Sequence, residues 1–242
     1  MEYYSSQMKS GLIAGIIAAG EGSRLRSEGI SLPKPLVPVD GVPLIERLLN
    51  IFVKHGIREV ACIVNEYSLE VKEFVESKRF GVPVHFIVKT TPSSMHSLFA
   101  LAPLLKDGRF LLSTVDSIFF ENEFDQFLKA GQQRSSADGV LAVTKFIDDE
   151  NPLYAELDAS NRIVSFRKSG IETWTTGGLY IFSPRIFRET ETALRRGVER
   201  LRNFLGFLLE QGYVLEGFPF SKIVDVDHAH DIVTAENLLR TA

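Results

Sequence analysis

Gly20, Glu21, Gly22 and Ser23 interrupt an apolar run that ends in Ala18 and Ala19. Arg24 follows directly, and Lys34 stands between Pro33 and Pro35. A loop of small residues bares backbone N–H groups and lets a phosphate come close. Two cations flanking it can neutralise a polyphosphate. This spacing reads as a nucleoside triphosphate site at the carboxyl end of the first strand. It is not the dinucleotide fingerprint, because Leu25 stands where the third glycine belongs. Nor is it a Walker A loop, since no G-K-S/T closes it.

Two acidic points could complement those cations. Asp116 lies just past the strand expected over 109–114, facing the same crevice as the glycine loop. A hard carboxylate there suits Mg²⁺, which is usually held by one or two carboxylates plus phosphate oxygens. A helix-cap or turn aspartate is the plainer alternative. Val224-Asp225-Val226-Asp227 is the second point. Residues i and i+2 of a strand share a face, so Asp225 and Asp227 are expected to converge, which is costly without a cation. Either could hold the metal. His228 and His230 follow, but their spacing at a helix start does not put them on one face, which argues against a transition-metal site.

The longer string carries a resemblance. Ala18-Ala19-Gly20-Glu21-Gly22-Ser23-Arg24-Leu25, then Pro33-Lys34-Pro35-Leu36 and an apolar helix, closely resembles the signature of nucleotidyltransferases that make NDP-sugars, CDP-alcohols and related metabolites. The resemblance implies Mg²⁺-dependent transfer of a nucleoside monophosphate from an NTP to a phosphorylated small molecule, with pyrophosphate leaving. It implies that Gly20 to Ser23 cradle the triphosphate, Arg24 holds the leaving phosphates, and Lys34 neutralises the α-phosphate. Asp116, with Asp225 or Asp227, would bind the metal. Lys168, in Ser165-Phe166-Arg167-Lys168, resembles the family's E-K-P lysine that meets the acceptor phosphate, although Arg167 replaces the glutamate and Ser169 the proline. Thr176-Gly177-Gly178-Leu179-Tyr180 resembles the T-G-x-Y strand lining the acceptor pocket, where Gly177 and Gly178 would let backbone approach the ligand. Ser94-Met95-His96-Ser97-Leu98 resembles the base-reading segment, with His96 in place of the common asparagine. CTP is favoured and UTP comes next. The acceptor is expected to be a phosphoalcohol, such as phosphocholine or inositol phosphate, or a sugar 1-phosphate. A molybdopterin guanylyltransferase-like enzyme and a non-catalytic nucleotide- or sugar-phosphate-binding regulator remain as alternatives. A glycosyltransferase is disfavoured, because a diphosphate donor does not need a triphosphate cradle.

The elements that must position these residues alternate. Strands are expected at 15–19, 59–64, 82–88 and 109–114, with helices at 42–55, 67–78 and 94–105 between them. That pattern predicts an α/β fold with a doubly wound, mostly parallel sheet, and the resemblance implies a Rossmann-like sheet of the nucleotide-diphospho-sugar transferase type. Beyond residue 120 the pattern becomes mixed. A short helix at 124–130, a strand at 140–145, a hairpin at 154–157 and 163–166, and a strand at 178–182 are expected. A helix at 198–210, strands at 214–218 and 222–227, and a closing helix at 231–239 follow. One domain is expected over 1–242, with a loose tail at 1–9, a nucleotide-binding half at 10–120 and an acceptor-binding half at 121–242.

Composition narrows the classes. The 242 residues carry a net charge of −4, which suggests no nucleic-acid or membrane-surface partner. There is one cysteine, Cys62, inside an apolar run, so a buried thiol is expected and no disulfide framework. No 18-residue apolar run or signal-peptide pattern is present, and a cytoplasmic monomer or homodimer is expected. No hexapeptide repeat follows Asp231, so no second acetyltransferase activity of that kind is expected.

Overall fold

A computed structural model describes residues 11–146, 152–167 and 174–241. The expected tail at 1–9 and Lys168 lie outside the described residues. The chain runs β1 (Ile13–Ala18), α1 (Ser23–Ser27), a 3₁₀ turn (Lys34–Leu36), β2 (Pro38–Val39), β3 (Val42–Pro43), α2 (Leu44–Lys54), β4 (Glu59–Val64), α3 (Leu69–Glu76), β5 (Val84–Val88), α4 (Ser94–Leu105), β6 (Phe110–Thr114) and β7 (Ser117–Phe119). It continues with α5 (Glu121–Gln133), β8 (Gly139–Thr144), β9 (Tyr154–Leu157), β10 (Ile163–Arg167), β11 (Trp174–Phe182), a 3₁₀ turn (Pro184–Glu189), α6 (Thr190–Arg195), α7 (Leu201–Glu210), β12 (Leu215–Phe220), β13 (Ile223–Asp225) and α8 (Ala229–Arg240).

One nine-stranded sheet spans both halves of the chain. Strands β5, β4, β1 and β6 lie side by side and parallel, as strand–helix alternation demands. Strand β11 then pairs antiparallel with β6, and the β9–β10 hairpin and β8–β12 complete a mixed second half. Alternation along β1 sends Ala14, Ile16 and Ala18 into a core shared with α2, α3 and α5. Ile17 goes to the opposite face, where α4 and α7 pack. Helix α2 buries Leu44, Ile45, Leu48, Leu49 and Phe52, the stripe that its sequence spacing predicts. A third, smaller core joins Leu25, Val37, Val224 and Ala235 beneath the glycine loop.

Several short elements depart from expectation. The chain from 38 to 43 is a two-strand hairpin whose Asp40-Gly41 turn has both φ angles positive, the geometry D-G sequences favour. Ser23 and Arg24 belong to the five-residue α1 rather than to a loop. Cys62 is buried and its thiol is pushed up to about 12 by burial.

Candidate active site

The glycine loop leaves β1 at Ala18 and turns at Gly22, which has φ 60. A side chain there would be strained, and its Cβ would stand 3.1 Å from Lys34 Cβ. Glycine therefore brings the Lys34 turn against the loop. Asn65, buried at the end of β4, donates from Nδ2 to the carbonyls of Ala19 and Gly20 at 3.4 Å each. The carbonyl side of the loop is thus tied to the sheet. Gly20, Glu21 and Ser23 are exposed at the crevice.

Lys34 is the centre of the charge cluster. Its Nζ donates to Asp116 Oδ2, and to Asp227 Oδ1 at 2.6 Å. Arg24 Nη1 donates to the other oxygen of Asp227 at 2.8 Å. Burial works against the Lys34 charge, but the two carboxylates outweigh it and raise its pKa. Burial would likewise raise the Asp116 pKa, but the ammonium beside it holds the carboxyl below the usual range. Asp116 Oδ1 is buried without a hydrogen-bond partner among the described residues.

A strand too short to be read from sequence assembles the acidic side. β7 leads away from Asp116, and β13 pairs antiparallel with it, setting Asp225 opposite Ser117. The Val226 N–H continues that pairing to the Asp116 carbonyl at 3.1 Å. Ser117 Oγ donates to Asp225 Oδ1 at 2.8 Å and shares a hydrogen bond with Thr114 Oγ1 at 2.9 Å. Burial and the charge of Asp116 push the Asp225 carboxyl up to about 7.

The expected convergence of Asp225 and Asp227 on one strand face is not what brings them in. β13 ends at Asp225, and the Asp227 N–H turns back to the Asp225 carbonyl at 3.1 Å. Asp227 is placed by Lys34, by Arg24 and by buried Asp231, whose Oδ2 accepts the N–H groups of Asp227 at 2.9 Å and His228 at 2.6 Å. His228 and His230, expected to diverge, stack with ring centroids 5.4 Å apart. Among the described residues no three His, Cys, Asp or Glu side chains form a ready metal set.

Gly177 and Gly178 lie where β11 meets β13 and Ser117. A Cβ on Gly177 would stand 2.2 Å from Ile223 Cδ1, and one on Gly178 would stand 2.2 Å from Ser117 Oγ. Gly178 has φ 72, and β11 shifts register against β8 across this pair. The glycines make a bulge that admits β13 and Ser117, so their room is filled by protein. His96 lies in the first turn of α4, its Nδ1 2.9 Å from Ser93 Oγ. Trp174 packs into the second core with Lys145 Nζ 5.1 Å above its ring.

The nucleotidyl transferase family profile matches residues 13–241. The chain belongs to this family. Among curated nucleotidyl transferases, it is similar to the 2-aminoethylphosphonate cytidylyltransferase of Lancefieldella rimae, at 27% identity over 172 residues, 69% of this chain and 65% of that protein. It is also similar to the mannose-1-phosphate guanylyltransferase catalytic subunit beta of Danio rerio, at 29% identity over 73% of this chain and 51% of that protein. The chain therefore spans less than two thirds of the length of these relatives. Among solved nucleotidyl transferases, the inositol-1-phosphate CTP transferase of T. maritima superposes with a TM-score of 0.79 at 22% identity, covering 95% of this chain and 97% of that one. The CTP:phosphocholine cytidylyltransferase of Streptococcus pneumoniae gives 0.75 at 20% identity, covering 94% and 99%. At these identities the likeness is one of fold, and it bears out the nucleotide-diphospho-sugar transferase class expected from the sequence.

Three residues that position this family's signature in the chain escape sequence reading: Asn65, Ser117 and Asp231. Asn65 follows directly on an apolar strand, where a polar residue faces the crevice, and Asp231 stands three residues after the helix cap His228, the spacing of a capping box. Ser117 carries no such signal.

Proposed function

We propose that the chain transfers a nucleoside monophosphate from an NTP to a phosphorylated small molecule, with release of pyrophosphate. One observation carries this reading. The small-residue loop, two cations and two carboxylates meet at a single point, with Lys34 shared between Asp116 and Asp227. The backbone N–H groups of Gly20 to Ser23 cradle the triphosphate, and Arg24 takes the leaving phosphates. Lys34 neutralises charge on the α-phosphate as the bond to pyrophosphate lengthens. The acceptor phosphate is itself the nucleophile, so no general base is needed. Lys168 orients it.

The donor set suits Mg²⁺. Asp116 presents a buried oxygen with no hydrogen-bond partner among the described residues, and beside it the Asp225 carboxyl is pushed up to about 7 by burial and that same charge. Hard carboxylate oxygens that disfavour one another are what such a cation needs. We assign Asp116 and Asp225 as its ligands, leaving Asp227 to hold Lys34 and Arg24. When bound, Mg²⁺ supplies charge neutralisation across the reacting phosphates. CTP is the favoured donor, supported by the cytidylyltransferases among the relatives and structural neighbours. The acceptor class is a phosphoalcohol, phosphonate or sugar 1-phosphate.

The test is transfer of label from α-³²P-NTP to the acceptor. Lys34→Ala and Asp116→Ala are each expected to lower it by on the order of a hundredfold or more. Wild-type rates in both variants would remove the site assignment.

A further inference from the structure

A groove of about 850 Å³ lies between the end of β10 and the segment from Arg196 through α7. Its size is that of a small-molecule site. Its charge is opposite to that of the molecule. Arg167, Arg196, Arg200 and Arg202 line it against two carboxylates, Glu199 and Glu210, while the whole chain carries −4.

The groove borders the site already described. Arg167 immediately precedes Lys168 in sequence. The Arg200 N–H donates to Ser93 Oγ at 3.1 Å, and the same hydroxyl meets His96 Nδ1. The next N–H, of Leu201, donates to Ser94 Oγ at 2.9 Å.

Two features look built for a ligand rather than for stability. Arg200 has φ 64, a strained conformation for a residue with a side chain, and two serine hydroxyls hold the backbone there. Its guanidinium has no hydrogen-bond or ion-pair partner among the described residues. Gly206 sits inside α7 on the groove wall, where a Cβ would meet nothing within 4 Å. Alanine would favour the helix at that position, so glycine there keeps space open at a cost in stability.

We propose that this groove receives the far end of the acceptor and that this end is anionic. The preferred acceptor then carries a second carboxylate or phosphate besides its reacting phosphate. The proposal rests on the transferase reading above and narrows it. Arg167 is paired with Glu156 at 2.6 Å, but a choline-like cation would still meet an excess of guanidinium groups here, whereas a carboxylate or phosphate matches their planar fork.

The test is calorimetric titration of the full chain with matched probes. Glycerol 3-phosphate is compared with 3-phosphoglycerate, which adds a carboxylate, and glucose 1-phosphate with glucose 1,6-bisphosphate, which adds a phosphate. In at least one pair the doubly anionic member is expected to bind about tenfold tighter or better. Arg196→Gln with Arg200→Gln, both at exposed positions, is expected to bring that preference within about twofold at unchanged melting temperature. Gly206→Leu, which fills the groove, is expected to weaken both members of the pair. No preference in the wild type, a preference that survives in the double variant, or tighter binding of phosphocholine would each overturn the proposal. Pyrophosphate release from Mg²⁺–NTP is scored separately. Release without an anion preference removes the groove assignment and leaves the transfer reading. Preference without release keeps the anion site and removes the transfer reading.

Discussion

Lys34 satisfies two carboxylates, Asp116 and Asp227, with one ammonium. Lys34→Met keeps the side-chain length but leaves buried Asp116 without its cation, while Asp227 keeps only Arg24 among the described residues. Breaking such a buried pair typically costs about 3–5 kcal/mol. The variant is expected to melt lower than wild type without divalent cation and to recover more than wild type does when MgCl₂ is added. Equal recovery in both proteins would contradict the shared role. Asp225 carries a separate signature in pH. Its carboxyl is raised from 3.8 to about 7, so the folded chain retains a proton that the unfolded chain has lost. Its contribution to stability therefore declines as pH rises from about 4 to about 7 and is flat above. Asn at 225 has no such decline. Without added metal, the melting temperature of Asp225→Asn relative to wild type is expected to rise across that window, by the equivalent of roughly 1–3 kcal/mol. A difference independent of pH would show that Asp225 is ionised throughout. At this scale the sequence was informative about where Arg24, Lys34 and Asp116 lie, since the motif and the strand end before Asp116 bring them to one cluster. It was misleading about why Asp225 and Asp227 meet, because strand alternation stops at Asp225.

The pairing of β7 with β13 brings the end of the chain to Asp116. That pairing depends on room beside Gly178, where any side chain would collide with Ser117 and be held at φ 72. Gly178→Ala is expected to cost about 2–4 kcal/mol from strain and overpacking together, lowering the melting temperature by roughly 5–15 °C. Turnover should fall with it, because Ser117 holds Asp225. A variant with wild-type melting and turnover would contradict the bulge's role. Asp231→Asn probes the other support. Asn keeps one oxygen able to accept both N–H groups but loses the charge, so binding of Mg²⁺–NTP is expected to weaken about three- to tenfold with little change in melting temperature. Long periodic elements such as α2, α4 and β4 were legible, since their apolar stripes and β-branched runs extend over a full period. β7 spans three residues and β2 and β3 two each, too short to show a period. The Asp40-Gly41 turn was the readable sign of the hairpin. The filled space at Gly177 and Gly178 had none, because a glycine that admits a ligand and one that admits a neighbouring strand are alike in sequence.

Across the whole molecule, the nine-stranded sheet carries the glycine loop and Asp116 to one end, where the separate β7–β13 pair and the Lys34 turn meet them. The arginine-lined groove opens beside the helix that carries His96. Fold class was legible from strand–helix alternation alone, but the mixed second half was legible only as a change of pattern, since its strand order is set by long-range pairing. The most direct measurement of the central claim is pyrophosphate release with Mg²⁺, crossing CTP, UTP, GTP, ATP and dTTP against phosphocholine, inositol 1-phosphate, 2-aminoethylphosphonate, 3-phosphoglycerate and several sugar 1-phosphates. The account expects release that requires both an NTP and an acceptor, strongest with CTP, and lowered by on the order of a hundredfold or more in Lys34→Ala. A blank grid, together with no change in melting temperature on adding any NTP, would contradict the reading of the loop from Gly20 to Arg24 as a triphosphate site.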